Sequence, residues 1–171
     1  VRNDFTQLLK NIEQNSEELY KSQNIEIFQG KDGYLLWNER RLYGKHKLIK
    51  ELGSKNFLLD IFKESDYMPY MNGFIAKRIK KGIKMQSLAD NSEAHDEIDV
   101  TTPKLIKESR QYPGRLELEA FLSMWGDYFG YYTTKAGKFM GVIIYDPLMT
   151  KLLNSVFDVL WNQSKISYPN N

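Results

Sequence analysis

The first residues to weigh for chemistry are the two histidines, His46 and His95, because imidazole is the side chain that exchanges a proton or binds a metal near neutral pH. Neither has a second histidine, a cysteine or a suitably spaced carboxylate to complete a ligand pattern, so no metal site is expected. His95 precedes Asp96 and Glu97, while His46 stands between Lys45 and Lys47, and both read as solvated side chains. No Gly-x-Ser-x-Gly elbow, no Walker loop and no Ser-x-x-Lys in a suitable setting supplies a nucleophile. The stretch Gly30-Lys31-Asp32-Gly33 comes nearest to a phosphate cradle, although its glycines equally serve a turn from strand into helix. No cofactor is expected.

Charge and aromatic content leave binding as the open possibility. Lys77, Arg78, Lys80, Lys81 and Lys84 form the densest basic cluster, placed where a helix C-terminus welcomes cations; it reads either as a solvated face or as contact for an anionic ligand. Aromatic residues make up 13% of the chain, with Trp125, Tyr128, Phe129, Tyr131 and Tyr132 close together. Alternate members must face opposite sides of a strand, so some belong to a core and others line a cleft or an interface, where carbohydrate stacking is one use. The 24 basic and 22 acidic residues nearly cancel, leaving +2, too little for a long-range field that would by itself argue for nucleic acid. Cysteine is absent, which excludes disulfides and thiolate chemistry and suits a reducing cytoplasm. No apolar run approaches the roughly 18 residues of a membrane span.

The elements that must position these residues are set by periodicity. Phe5, Leu8, Ile12 and Leu19 fall at a and d spacing with Asn15 at the remaining d position, which predicts an amphipathic helix over 1–23 that either forms a short coiled coil or packs on its own domain. Residues 25–29 alternate as a first strand, and Asp32 starts a helix carrying Leu35, Leu36 and Trp37. Leu48, Ile49 and Leu52 read as a second strand or a helical turn. A short helix is expected over Phe57–Phe62 and a longer one through Met71, Phe74, Ile75 and Ile79 to Gly82, followed by a strand over Ile83–Leu88. The acidic stretch from Ala89 to Thr102 reads as a mobile loop. Segments Leu116–Trp125, Tyr128–Thr133 and Phe139–Tyr145 predict a three-stranded meander with a turn at Gly126-Asp127. Asp146-Pro147 then starts a final helix whose buried face is expected to be Leu148, Leu152, Val156, Phe157 and Leu160. The order predicts an α/β domain over 24–166, a mixed sheet flanked by helices, with a disordered tail over 167–171.

Four strings in this order resemble the effector domain of TrmB-like transcriptional regulators: Ile25-Glu26-Ile27-Phe28-Gln29-Gly30-Lys31-Asp32-Gly33, Lys77-Arg78-Ile79-Lys80-Lys81-Gly82-Ile83-Lys84, Glu108-Ser109-Arg110-Gln111-Tyr112-Pro113 and Phe157-Asp158-Val159-Leu160-Trp161. The resemblance implies a sensor domain with a phospholipase D-like fold and a dimerisation helix, the winged-helix DNA-binding domain of the family being absent from this sequence. The chain begins with Val1 rather than methionine, and a longer natural protein is expected. By the same resemblance the protein is expected to be a cytoplasmic homodimer joined through Phe5, Leu8, Ile12 and Leu19, taking a small-molecule effector such as a sugar or sugar phosphate. DNA would be reached only through the missing domain, and no membrane is involved. Arg78, Glu108, Arg110 and Asp127 are expected to converge as the ligand site, or the Glu108-Ser109-Arg110 string to hold a loop to the body of the domain through an Arg–carboxylate pair. Phospholipase D chemistry needs His-x-Lys-x4-Asp, in which histidine attacks and lysine steadies the phosphoryl oxygens. His46 is followed two positions on by Leu48 and His95 by Glu97, so an enzyme is not expected. The alternatives are a phosphodiesterase of that type and a purely structural dimerisation module.

Overall fold

The computed structural model describes residues 25–53, 64–89, 106–113, 120–135 and 137–166. The expected N-terminal helix with its seam residues Phe5, Leu8, Ile12 and Leu19, the helix over 57–62, the acidic stretch beyond Ala89 and the tail from 167 lie outside them.

Strand β1 (Ile25–Gln29) runs straight into helix α1 (Gly30–Arg40). The junction depends on Gly30, whose φ of +69° is a left-handed conformation that a side chain resists. The helix therefore begins two residues before Asp32, which sits in its first turn beside the positive end of the helix dipole rather than at the cap. Residues Leu48–Leu52 form strand β2, settling the choice left open by their short apolar pattern. Helix α2 (Glu64–Lys80) closes at Gly82, with φ +65°, where the Gly82 amide reaches the Ile79 carbonyl at 2.8 Å and the Ile83 amide reaches that of Arg78 at 3.1 Å. Such back-bonds satisfy the last carbonyls of a helix.

Strand β3 spans Lys84–Ala89 and β4 spans Lys107–Gln111. Strands β5 (Phe121–Trp125), β6 (Tyr128–Lys135) and β7 (Lys138–Tyr145) make the expected antiparallel meander. Helix α3 (Pro147–Gln163) starts as its sequence predicts, with the Asp146 carboxylate accepting from the Met149 amide at 2.9 Å. A short β8 (Lys165–Ile166) ends the described chain. The eight strands form one mixed sheet in the order β1-β7-β6-β5-β2-β3-β4-β8, with β2, β3 and β4 mutually parallel.

The sheet separates two cores. On one face α1 and α2 bury Trp37, Ile49, Phe74, Phe121, Trp125, Tyr132 and Phe139. On the other, α3 lies over β5, β6 and β2 and buries Leu88, Met124, Phe157 and Trp161. This rotates α3 away from the expected orientation. Phe157, Leu160 and Leu153 do face the sheet, but Leu148 is 82% exposed, Leu152 57% and Val156 50%. Two tethers set the roll of the helix. Lys50 pairs with Asp158 at 2.6 Å, and the Arg110 guanidinium stacks over the Trp161 ring at 4.4 Å while donating to the Trp161 carbonyl at 3.0 Å. No helix among the described residues is long and apolar enough to cross a membrane.

Candidate functional site

Two arrangements of polar side chains emerge from this fold, one internal and one at the surface. The internal one is built on strand pairing. Ser123 of β5 lies opposite Glu51 of β2, Glu51 opposite Ser87 of β3, and Ser87 opposite Ser109 of β4. One row of hydroxyls and a carboxylate thus crosses the sheet beneath α1 and α2, and every member is buried. Above it Arg41, just past the end of α1, donates through Nη1 to Glu51 at 3.0 Å and to Ser123 at 3.3 Å, and through Nη2 to Asn38. Its guanidinium also stacks against Trp37 and Phe74. Arg78, buried at the end of α2, donates to the Ile83 carbonyl at 2.7 Å. Burial pushes its pKa down while the Glu51 charge opposes that change. An ion pair sealed from water is costly to assemble and costlier to break, so this network holds α1, α2 and the sheet in one relative position.

The surface arrangement lies where α1 ends. Arg40, the residue before Arg41, points outward and grips Glu26 of β1 in a forked pair, with Nε 3.0 and 2.9 Å from the two carboxylate oxygens and Nη2 on one of them. That bond raises the Arg40 pKa. Beside the pair, Trp125 and Tyr128 stack with rings 6.1 Å apart and 12° from parallel. Tyr43 lies under both the Arg40 and Lys81 cations. Glu26, Arg40, Tyr43, Gly44, Trp125, Tyr128 and Ile143 line a pocket of about 100 Å³. That is well below the roughly 300–1,000 Å³ that encloses a drug-sized ligand. Next to it, His46 donates from Nε2 to the Arg41 carbonyl at 2.9 Å. Burial, more than the nearby lysines, lowers its pKa.

The four residues expected to form one ligand site do not share a cleft. Arg78 is buried on the α1–α2 face, whereas Arg110 reaches Trp161 on the α3 face, with the sheet between them. Glu108 and Arg110 bind each other at 2.8 Å within strand β4, so the string is not a loop held to the body by an Arg–carboxylate pair; the tie to the body is Arg110 donating to the Trp161 carbonyl. Asp127 stands in the β5–β6 turn, where its carbonyl accepts from the Asp146 amide. Sequence reasoning missed Glu26, Arg40, Glu51 and Ser123. Forked Arg40–Glu26 pairing joins residues 14 apart and Arg41–Ser123 joins residues 82 apart, separations no local pattern reports. The concentration of aromatics around Trp125 and Tyr128 was the one signal that pointed toward the pocket.

Counting back from Asp127 by the spacing of His-x-Lys-x4-Asp places Ala120 and Leu122 at the histidine and lysine positions. Among the described residues no group of three or more His, Cys, Asp or Glu is placed to hold a metal ion.

No protein-family model matches the chain, and no curated protein matches it by sequence. Its backbone, by contrast, is similar to solved structures. Nuc from Salmonella typhimurium, a phospholipase D family member, superposes with a TM-score of 0.64 at 13% identity, covering 85% of this chain and 99% of that one. NucT from Helicobacter pylori gives 0.60 at 11% identity with the same coverage. TrmBL2, an archaeal chromatin protein with a novel mode of DNA binding, gives 0.55 at 14% identity over 96% of this chain, which spans 66% of that protein. These likenesses show that the chain has a phospholipase D-like α/β fold, shared with Nuc, NucT and the matching region of TrmBL2.

Proposed function

We propose that the chain is the ligand-sensing and dimerising domain of a TrmB-like transcriptional regulator, working in the cytoplasm as a homodimer and without catalytic activity. What carries the reading is the likeness to TrmBL2 over 96% of the chain, combined with the absence of His-x-Lys-x4-Asp from a fold that Nuc also has. DNA contact belongs, on this reading, to a separate winged-helix domain.

The sensor site is the pocket at the end of α1. Tyr128, backed by the buried Trp125, and Tyr43 supply apolar ring surface, while Glu26 and Arg40 supply an acceptor and a donor, the combination that orients a sugar or another small polar ring. A ligand that draws Arg40 away from Glu26 acts on the last turn of α1, and the adjacent Arg41 carries the change to Glu51 and Ser123 in the sheet. The test is a thermal-shift and tryptophan-fluorescence screen of sugars, sugar phosphates and nucleotides. A true ligand at a hundredfold excess over its Kd stabilises by about 2.7 kcal/mol, and Arg40→Ala and Tyr128→Ala remove that gain. If no member of the panel shifts Tm or fluorescence, the sensor role is lost. Steady hydrolysis of a chromogenic phosphodiester would instead make the chain an enzyme.

A further inference from the structure

Helix α3 is apolar on two sides. Thr150, Phe157 and Trp161 turn toward the sheet and are buried. Leu148, Leu152, Val156 and Val159 turn away from it and are exposed, Val159 by 58%. At 3.6 residues per turn these outward four fall within about 80° of arc, so they form one stripe along the solvent side of the helix. A helix that is apolar all round is ordinarily covered by another element. The sequence holds a second stripe of matching pitch in the residues before β1, which lie outside those described. Leu8, Ile12, Asn15 and Leu19 advance in steps of three and four, as do Leu148, Leu152, Val156 and Val159, and each set spans 11 positions.

We infer that the N-terminal segment docks on this stripe within its own chain, as a helix antiparallel to α3. Leu19 then lies over Leu148, Asn15 over Leu152, Ile12 over Val156 and Leu8 over Val159. Three observations favour that occupant. The chain enters β1 at Ile25 beside Ile144, two residues before Asp146 caps α3. The segment therefore reaches the sheet at the end where α3 begins, which sets its direction against α3 and brings Leu19 nearest to Leu148. Residues 20–24 join Leu19 to β1 and extend up to about 17 Å, more than the 10–12 Å diameter of the helix to be crossed. So short a tether holds the stripe at an effective concentration on the order of millimolar, and a helix of this length is marginal in water without a surface to pack on. The stripe expected to join two chains is thus engaged inside one, and any association of copies uses other surfaces. The ligand pocket shares no residue with either stripe.

The chain has no cysteine, so paired substitutions in the full chain read the contact directly. Leu8→Cys with Val159→Cys, treated with a short bismaleimide in dilute solution, is expected to close a bridge within one chain. Leu8→Cys with Leu148→Cys should bridge roughly tenfold more slowly, because the antiparallel register sets those sites about 16 Å apart along the helix. Val156→Glu should slow the first bridge roughly tenfold, and adding Ile12→Lys should restore it. Circular dichroism confirms that these variants fold. Hydrogen exchange of the unsubstituted chain should show the amides from Leu8 to Leu19 slowed roughly tenfold or more against an unfolded chain. Equal bridging at Val159 and Leu148, or an undiminished rate in the folded Val156→Glu variant, would overturn the inference. So would bridging only between chains when Leu8→Cys and Val159→Cys chains are mixed, which assigns the stripe to a second copy. Amides that exchange at the unfolded rate in the unsubstituted chain would overturn it as well, leaving the stripe to a foreign partner.

Discussion

Replacing Glu51 by leucine tests whether the buried network holds the helices to the sheet. The Arg41 and Glu51 side chains are 4% and 2% exposed and meet at 3.0 Å, so Glu51→Leu leaves a guanidinium in the interior without its carboxylate. Removing one member of such a pair costs about 3–5 kcal/mol. Arg41 keeps Ser123 and Asn38 as acceptors, which places the expected loss at the lower end, about 3 kcal/mol. For a domain of this size each kcal/mol moves Tm by about 2–4 °C, so thermal unfolding followed by circular dichroism should show a fall of roughly 6–12 °C. The companion variant decides the cause. Glu51→Leu combined with Arg41→Met removes both charges, and a buried pair replaced by apolar groups is often neutral. The double variant should recover about 2 kcal/mol, the remaining deficit reflecting the acceptors of Asn38 and Ser123 that lose their donor. A single variant within 1 kcal/mol of wild type, or a double variant no better than the single, would refute the claim that desolvated charge governs this contact.

Arg110→Ala should destabilise the unliganded domain by about 1.5–3 kcal/mol in urea titration, because it removes charge-assisted bonds to Glu108 and the Trp161 carbonyl together with the stacking on Trp161. Asp146→Ala removes the acceptor for the Met149 amide and should cost about 1 kcal/mol in the same assay. The pH dependence of unfolding reports His46. Its folded pKa lies below the ordinary value of 6.5, chiefly through burial, so below that value the unfolded chain binds more protons and stability falls as the pH is lowered. His46→Gln should flatten the profile through and below pH 6.5, and an unaltered slope would show that another group is responsible.

Much of the architecture was legible along the chain because it depends on neighbours in sequence. Alternation marked β1, β6 and β7, the Asp146-Pro147 pair marked the start of α3, and Gly82 marked the end of α2. Strand β4 escaped because Lys-Glu-Ser-Arg-Gln has no apolar residue; its strand form comes from pairing with β3 and β8. The roll of α3 escaped for a related reason. Its sequence carries apolar side chains around more than half the helix, and only the tethers from Lys50 and Arg110 decide that Phe157 and Trp161 turn inward while Leu148 and Leu152 turn out. Arg78, Glu108, Arg110 and Asp127 looked equivalent as polar residues near strand ends. Which side of the sheet each occupies depends on strand order and register, and those are set by contacts between residues far apart in the chain. Local chemistry thus determined where elements begin and end, and packing across the sheet decided which side chains meet.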